Sequence, residues 1–146
     1  MTDGQYHIEL VSGIPVVTVP EEIDVTNAAD LRAALLKAGV NGSGTLVADM
    51  TQTQFCDSSG VHALVVAHRR AQAEGGQLLL VISSAAVLRI LAITGIDRVI
   101  PNFTSLADAL AHATAQAYNG HARTASNAVS NLISNPDADP GRAPVA

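Results

Sequence analysis

Two adjacent serines carry the most chemistry per residue in this chain. Ser58 and Ser59 stand in Asp57-Ser58-Ser59-Gly60, inside the longer run from Asp49 to Leu64. Asp57 or Ser58 ahead of a helical pattern reads as a helix N-cap, with Ser59 and Gly60 opening the helix and leaving its first amides pointing outward. A serine hydroxyl there sits on a short, exposed turn that another enzyme's active site can approach. It also lies beside the positive end of the helix dipole, so an added phosphate need not unfold the domain. The chemistry suggested is acceptance of a phosphate. On four residues alone the plainer reading, a helix cap, is the better one.

Other chemistries find less support. A serine nucleophile on the Gly-x-Ser-x-Gly elbow is excluded, because Asp57 occupies the first glycine position for Ser59. No histidine is placed by sequence as its base. Gly75-Gly76 is too short for a phosphate-cradling loop. The expectation is that the chain is not an enzyme and uses no cofactor. Cys56 is the single cysteine, so no internal disulfide or cysteine-based metal spacing exists, and it reads as a small buried hydrophobe. His7, His68, His112 and His121 show no metal-ligand spacing. His62 falls in the first turn of the motif helix, as a partner contact or an ordinary surface residue. Phe55 and Phe103 read as core, and Leu88, Leu91 and Ile93 read as buried against the sheet rather than as partly exposed partner contacts.

The elements that must position this segment are legible from periodicity. Tyr6 to Leu10 alternates, Ser12-Gly13 turns the chain, and Ile14 to Val19 follows, which predicts a hairpin. Thr26-Asn27 starts a helix by accepting a first-turn amide. Ala28, Leu31, Leu35 and Ala38 follow at helical spacing, with Gly39 as its cap. Thr45 to Ala48, ending at Asp49, reads as a central strand buried on both faces. A helix over Val61 to Ala73 closes at Gly75-Gly76, and Leu78 to Ile82 is a second apolar strand. A shorter helix runs from Ala85 to Ile93 and stops at Gly95. Val99-Ile100 reads as a brief strand, and Ser105 to Ala117 as a last helix with Leu106, Ala109, Leu110 and Ala113 on one face. Strands alternating with helices imply parallel crossovers. The predicted class is α/β, a mixed sheet with an N-terminal hairpin and about four helices packed on it. Beyond Tyr118 the composition turns to Asn, Ser, Ala, Asp and Pro. The expected division is a folded domain at 1–118 and a disordered tail at 119–146.

Composition bounds the function. Of 146 residues 48% are apolar, enough for one sizeable core, and the formal charge is −5. An acidic chain without a Lys/Arg cluster lacks the footprint for nucleic acid, and Arg69-Arg70 reads as a solvated helix face. No apolar run approaches the roughly 18 residues of a membrane span, and the N-terminus lacks a signal-peptide pattern. The cytoplasm is the expected location.

Several motifs recur in one order. Glu22-Ile23-Asp24 precedes the first helix, and Asp57-Ser58-Ser59-Gly60-Val61 opens the second. Then come Gly75-Gly76-Gln77, Val87 to Leu91, Thr94-Gly95-Ile96, and Ile100 through Leu110. This set resembles the anti-sigma factor antagonist family, bacterial members of the STAS domain group, over nearly all of residues 5–117. The resemblance implies a protein-binding switch. A serine kinase that is also the anti-sigma factor phosphorylates Ser58; the unmodified protein binds that factor and releases sigma; a phosphatase resets it. It places Ser59 and Gly60 with Ser58 at the partner face, Asp57 orienting the turn, and favours Glu22 and Asp24 there over solvated loop charges; His62 joins them as a candidate contact. Two departures stand out: Glu21 replaces the usual glycine before Glu22, and Val61-His62 replaces a small or apolar pair. The alternative is a STAS scaffold or ligand-sensing module that is never phosphorylated.

Overall fold

A computed structural model describes residues 2–3, 6–40 and 44–115. The chain divides into two compact units, Met1–Ala113 and Thr114–Ala146. The sheet and the helices that flank the site belong to the first, and the expected tail at 119–146 lies outside the described residues.

The strands are β1 (Thr2–Asp3), β2 (Tyr6–Val11), β3 (Ile14–Thr18), β4 (Glu22–Ile23), β5 (Leu46–Met50), β6 (Phe55–Cys56), β7 (Leu78–Ile82) and β8 (Asn102–Phe103). The helices are α1 (Ala28–Val40), α2 (Ser58–Ala73), α3 (Ala85–Thr94) and α4, described over 106–115. A six-stranded sheet runs β1-β2-β3-β5-β7-β8. Its first two pairings are antiparallel and the other three parallel. The mixed sheet with its opening hairpin and four helices is as predicted. Ser12 and Gly13 both take positive φ, 55° and 80°, the twist that a two-residue hairpin turn needs.

Both sheet faces are covered, which explains why the central strands are apolar throughout. Val17, Leu46, Ala48, Met50, Leu78, Leu80 and Ile82 pack with residues of α1, α2 and α3, among them Leu31, Leu35, Leu64 and Leu91. The alternate positions Val16, Val47, Leu79 and Val81 pack against Ala109 and Ala113 of α4, with Leu106 and Leu110 alongside. The stripe read from the sequence is therefore the packed face of α4, and Ser105 caps it by accepting from the Asp108 amide at 3.1 Å.

Some elements fall elsewhere than expected. The brief strand is not Val99-Ile100: both amides turn back to the Ile96 carbonyl at 2.9 Å, extending a 3-10 turn at Ile96–Arg98. The strand begins after Pro101, whose carbonyl accepts from the Leu80 amide at 2.9 Å. Helix α1 continues through Gly39 to Val40. Leu91 is buried, but Leu88 and Ile93 are 37% and 73% exposed, contrary to the core assignment. Arg69 and Arg70 are solvent-facing as expected, with Arg70 paired to Glu74 at 2.8 Å.

His68 has a structural role that spacing did not suggest. It is 2% exposed, and its Nδ1 accepts the Leu78 amide at 3.3 Å, tying α2 to β7. Accepting there places the ring proton on Nε2, which is buried without a partner among the described residues. Burial holds the imidazole pKa below its ordinary 6.5. The unfolded chain therefore binds a proton more readily, so this contribution to stability is full above pH 6.5 and declines as pH falls below it. The melting temperature should drop over the first unit of acidification below that point, and the drop should be shallower in His68→Gln. Equal slopes would contradict this role.

Candidate functional site

The site is built where two loops leave the carboxyl ends of the neighbouring parallel strands β3 and β5, the edge at which open α/β sheets assemble sites. Thr53 Oγ1 donates to the Pro20 carbonyl at 2.9 Å, and Gln52 Nε2 donates to Val19 at 3.0 Å. The Gln54 amide donates to Glu21 at 2.7 Å. So fastened, the loops form a two-stranded parallel ladder, β4 against β6, with Glu22 opposite Phe55 and Ile23 opposite Cys56. The Asp57 amide then donates to the Ile23 carbonyl at 3.1 Å. The segment before α1 thereby sets the position of the residue that caps α2.

Asp57 is the N-cap of α2, in extended backbone. One carboxylate oxygen accepts the amides of Ser59 at 2.8 Å and Gly60 at 3.2 Å, and its carbonyl accepts from Val61 at 3.0 Å. The first-turn amides are thus not left free, as the sequence suggested: two of them are occupied by the cap. Ser58, the first residue of the helix, is exposed; Ser59 is half-buried and Gly60 buried. A Cβ on Gly60 would stand 2.5 Å from Cys56 Sγ and 2.6 Å from Ile23 Cγ2. Only glycine lets the helix start press this closely on the β4–β6 ladder.

Cys56 is 1% exposed, and burial, with the Asp57 charge adding to it, pushes the thiol up to about 11. It is an inert packing residue, in line with its reading from sequence. Phe55 is not core: it is 50% exposed, on the opposite side of β6 from Cys56.

Asp24 and Asn27 shape the start of α1. Asn27 Oδ1 accepts the Asp24 amide at 2.9 Å, and its Nδ2 donates to the Glu22 carbonyl at 2.9 Å. Asp24 accepts from both the hydroxyl and the amide of Thr26, which hold its carboxyl below the usual carboxylate range. Thr26 and Asn27 therefore work on the preceding turn, not on the first amides of α1.

Of the residues singled out from sequence, Ser58, Ser59 and His62 line one cleft between α1 and α2, of about 310 Å3. Glu22 and Asp24 lie outside its walls; Glu22 is exposed on the ladder. The opposite wall brings Val25 and Arg32, which the sequence reading passed over. Arg32 lies just off the apolar stripe of α1, one residue beyond Leu31, a position open to a neighbouring helix. Among the described residues no group of three potential metal ligands converges, and no helix is long and apolar enough to cross a membrane.

Residues 5–109 match the STAS domain family model. An anti-sigma factor antagonist from Mycobacterium paratuberculosis is 28% identical, with 75% of this chain and 93% of that one covered and a TM-score of 0.69. The Bacillus cell fate determinant SpoIIAA in its phosphorylated form shares the fold at 19% identity, with 73% and 97% covered and a TM-score of 0.57. The murine Solute Carrier 26 family member A9 anion transporter is 27% identical over 73% of this chain but only 18% of its own, at a TM-score of 0.60. With the motif-bearing helix start, the mixed sheet and this match over most of its length, the chain belongs to the STAS domain family.

Proposed function

We propose that this protein is an anti-sigma factor antagonist. In this reading it binds an anti-sigma factor that is also a serine kinase, releases the sigma factor, and is switched off by phosphorylation of Ser58. The observation that carries the reading is the placement of an exposed Ser58 hydroxyl at the first position of α2, on a turn fixed by Asp57 and Gly60. The 28% identical mycobacterial antagonist supports the same role. The kinase supplies ATP, magnesium and the catalytic base, and this chain supplies the hydroxyl. A phosphatase restores the binding form, and the cytoplasm is where such a partner works.

The partner surface comprises the Ser58 turn with Ser59, Gly60 and His62, and Glu22 and Asp24 at its border. Exposed Phe55 and Val25, 50% and 74% accessible, add apolar area on either side. Phenylalanine is among the residues enriched in protein interfaces relative to the rest of the surface. The test is a preformed complex of the anti-sigma factor and sigma factor from the same cell. Adding the unmodified chain should free the sigma factor in the absence of ATP, read by size-exclusion chromatography.

A second reading, a scaffold or ligand-sensing STAS module without phosphorylation, draws on the 27% identity to the transporter's domain. It is favoured if no sigma factor is released and no phosphate is gained with any candidate kinase.

A further inference from the structure

The wall of the cleft facing Ser58 suggests what becomes of the phosphate once it is added. We infer that the cleft between α1 and α2 is an intramolecular phosphate-binding site, in which Arg32 and His62 hold the phosphoserine at position 58. This rests on the reading of Ser58 as the phosphoacceptor.

Three observations lead there. First, Ser58, His62 and Arg32 line the same cleft, two from α2 and one from α1. Ser58 and His62 are four residues apart on one helix, so their side chains stand one above the other on a single face. Second, the helix end has little left to offer an anion. Asp57 already occupies the amides of Ser59 and Gly60, at 2.8 and 3.2 Å, and brings its own negative charge next to position 58. A phosphate of charge about −1.5 to −2 placed there needs a side-chain cation. Third, a suitable cation is uncommitted. Arg32 is exposed and has no ion-pair or hydrogen-bond partner among the described residues, unlike Arg70, which Glu74 engages. A guanidinium offers a planar fork that matches two phosphate oxygens, and a histidine one turn along adds a ring N–H donor.

Opposing charges come from Asp57 at the cap and from Asp24 on the loop before α1. They raise the phosphate's second pKa, whereas Arg32 and the helix dipole lower it. The guanidinium prevails because it can move onto the phosphate, while both carboxylates are held by other donors, Asp57 by two backbone amides and Asp24 by Thr26. Capture would fold the phosphate against the domain and leave the modified protein stable while its partner face is charged.

The experiment inserts phosphoserine at position 58 of the full chain during translation, so the result does not depend on any kinase. A 31P NMR titration should give a second phosphate pKa between about 5 and 5.5, against about 6 for free phosphoserine. Arg32→Gln should return it to about 6 or above, and Arg32→Lys should recover part of the shift. A wild-type value of about 6 or higher, or a lowered value unchanged by Arg32→Gln, would overturn the inference. Failure of every anti-sigma kinase to modify Ser58 would instead sink the proposed function and leave this measurement intact.

Discussion

Replacing Ser58 with aspartate is expected to weaken binding to the anti-sigma factor at least tenfold, while Ser58→Ala retains most of it. Residue 58 is exposed, opens α2 and is flanked by the Asp57 carboxylate. In an interface formed around an uncharged hydroxyl, a carboxylate at 58 is desolvated beside a like charge it cannot escape. A loss of about 1.4 kcal/mol is a factor of ten in affinity. A phosphate carries up to twice the charge and three acceptor oxygens, and a loss of about 3 kcal/mol would exceed a hundredfold. Calorimetric titration of the anti-sigma factor with the two variants reads this directly. Equal affinities for Ser58→Ala and Ser58→Asp would place residue 58 outside the interface.

Gly60→Ala should be the most damaging conservative change in the site. Its methyl group would lie 2.5 Å from Cys56 Sγ, 2.6 Å from Ile23 Cγ2 and 3.3 Å from Ile23 Cβ. All three belong to buried side chains in the main core, so neither neighbour can swing away. Overpacking of this kind costs about 1–3 kcal/mol, which for a domain of this size lowers the melting temperature by roughly 4 °C or more per kcal/mol. The helix start would also lift from the β4–β6 ladder and carry Ser58 with it, so partner binding should fall too. Removing the sulfur in Gly60→Ala/Cys56→Ala should restore part of the loss, since the two changes share one contact and are not additive. An unchanged melting temperature in Gly60→Ala would mean the helix start is not packed as described.

What the sequence revealed and what it hid divide along the range of the interactions. The Asp57 cap of α2 and the left-handed Gly95 that ends α3 are both local. Residue types within four positions encode them, and they were legible. The β4–β6 ladder was not, because each strand has two residues and exists only through a partner more than thirty positions away. Missing it misplaced Phe55. As an isolated aromatic it reads as core, but as the strand neighbour of buried Cys56 it must face the other way, and it does. Val99-Ile100 misled for a similar reason. Both are β-branched, yet their amides are used by the turn that follows Gly95. Arg32 passed unnoticed because nothing on α1 distinguishes it; its interest comes from α2 across the cleft. The free amides expected at the start of α2 were an oversight of local chemistry, since an N-cap aspartate consumes them.

In the proposed function, one hydroxyl at the mouth of α2 receives a phosphate from the protein it binds. The most direct check is phosphosite mapping by tandem mass spectrometry of the full chain, after incubation with ATP and the anti-sigma kinase from the same cell. A single phosphate on Ser58, lost in Ser58→Ala, is expected. A phosphate mapped to Ser59 or Thr26, or an intact mass that does not change with a kinase proven active on another antagonist, would contradict it.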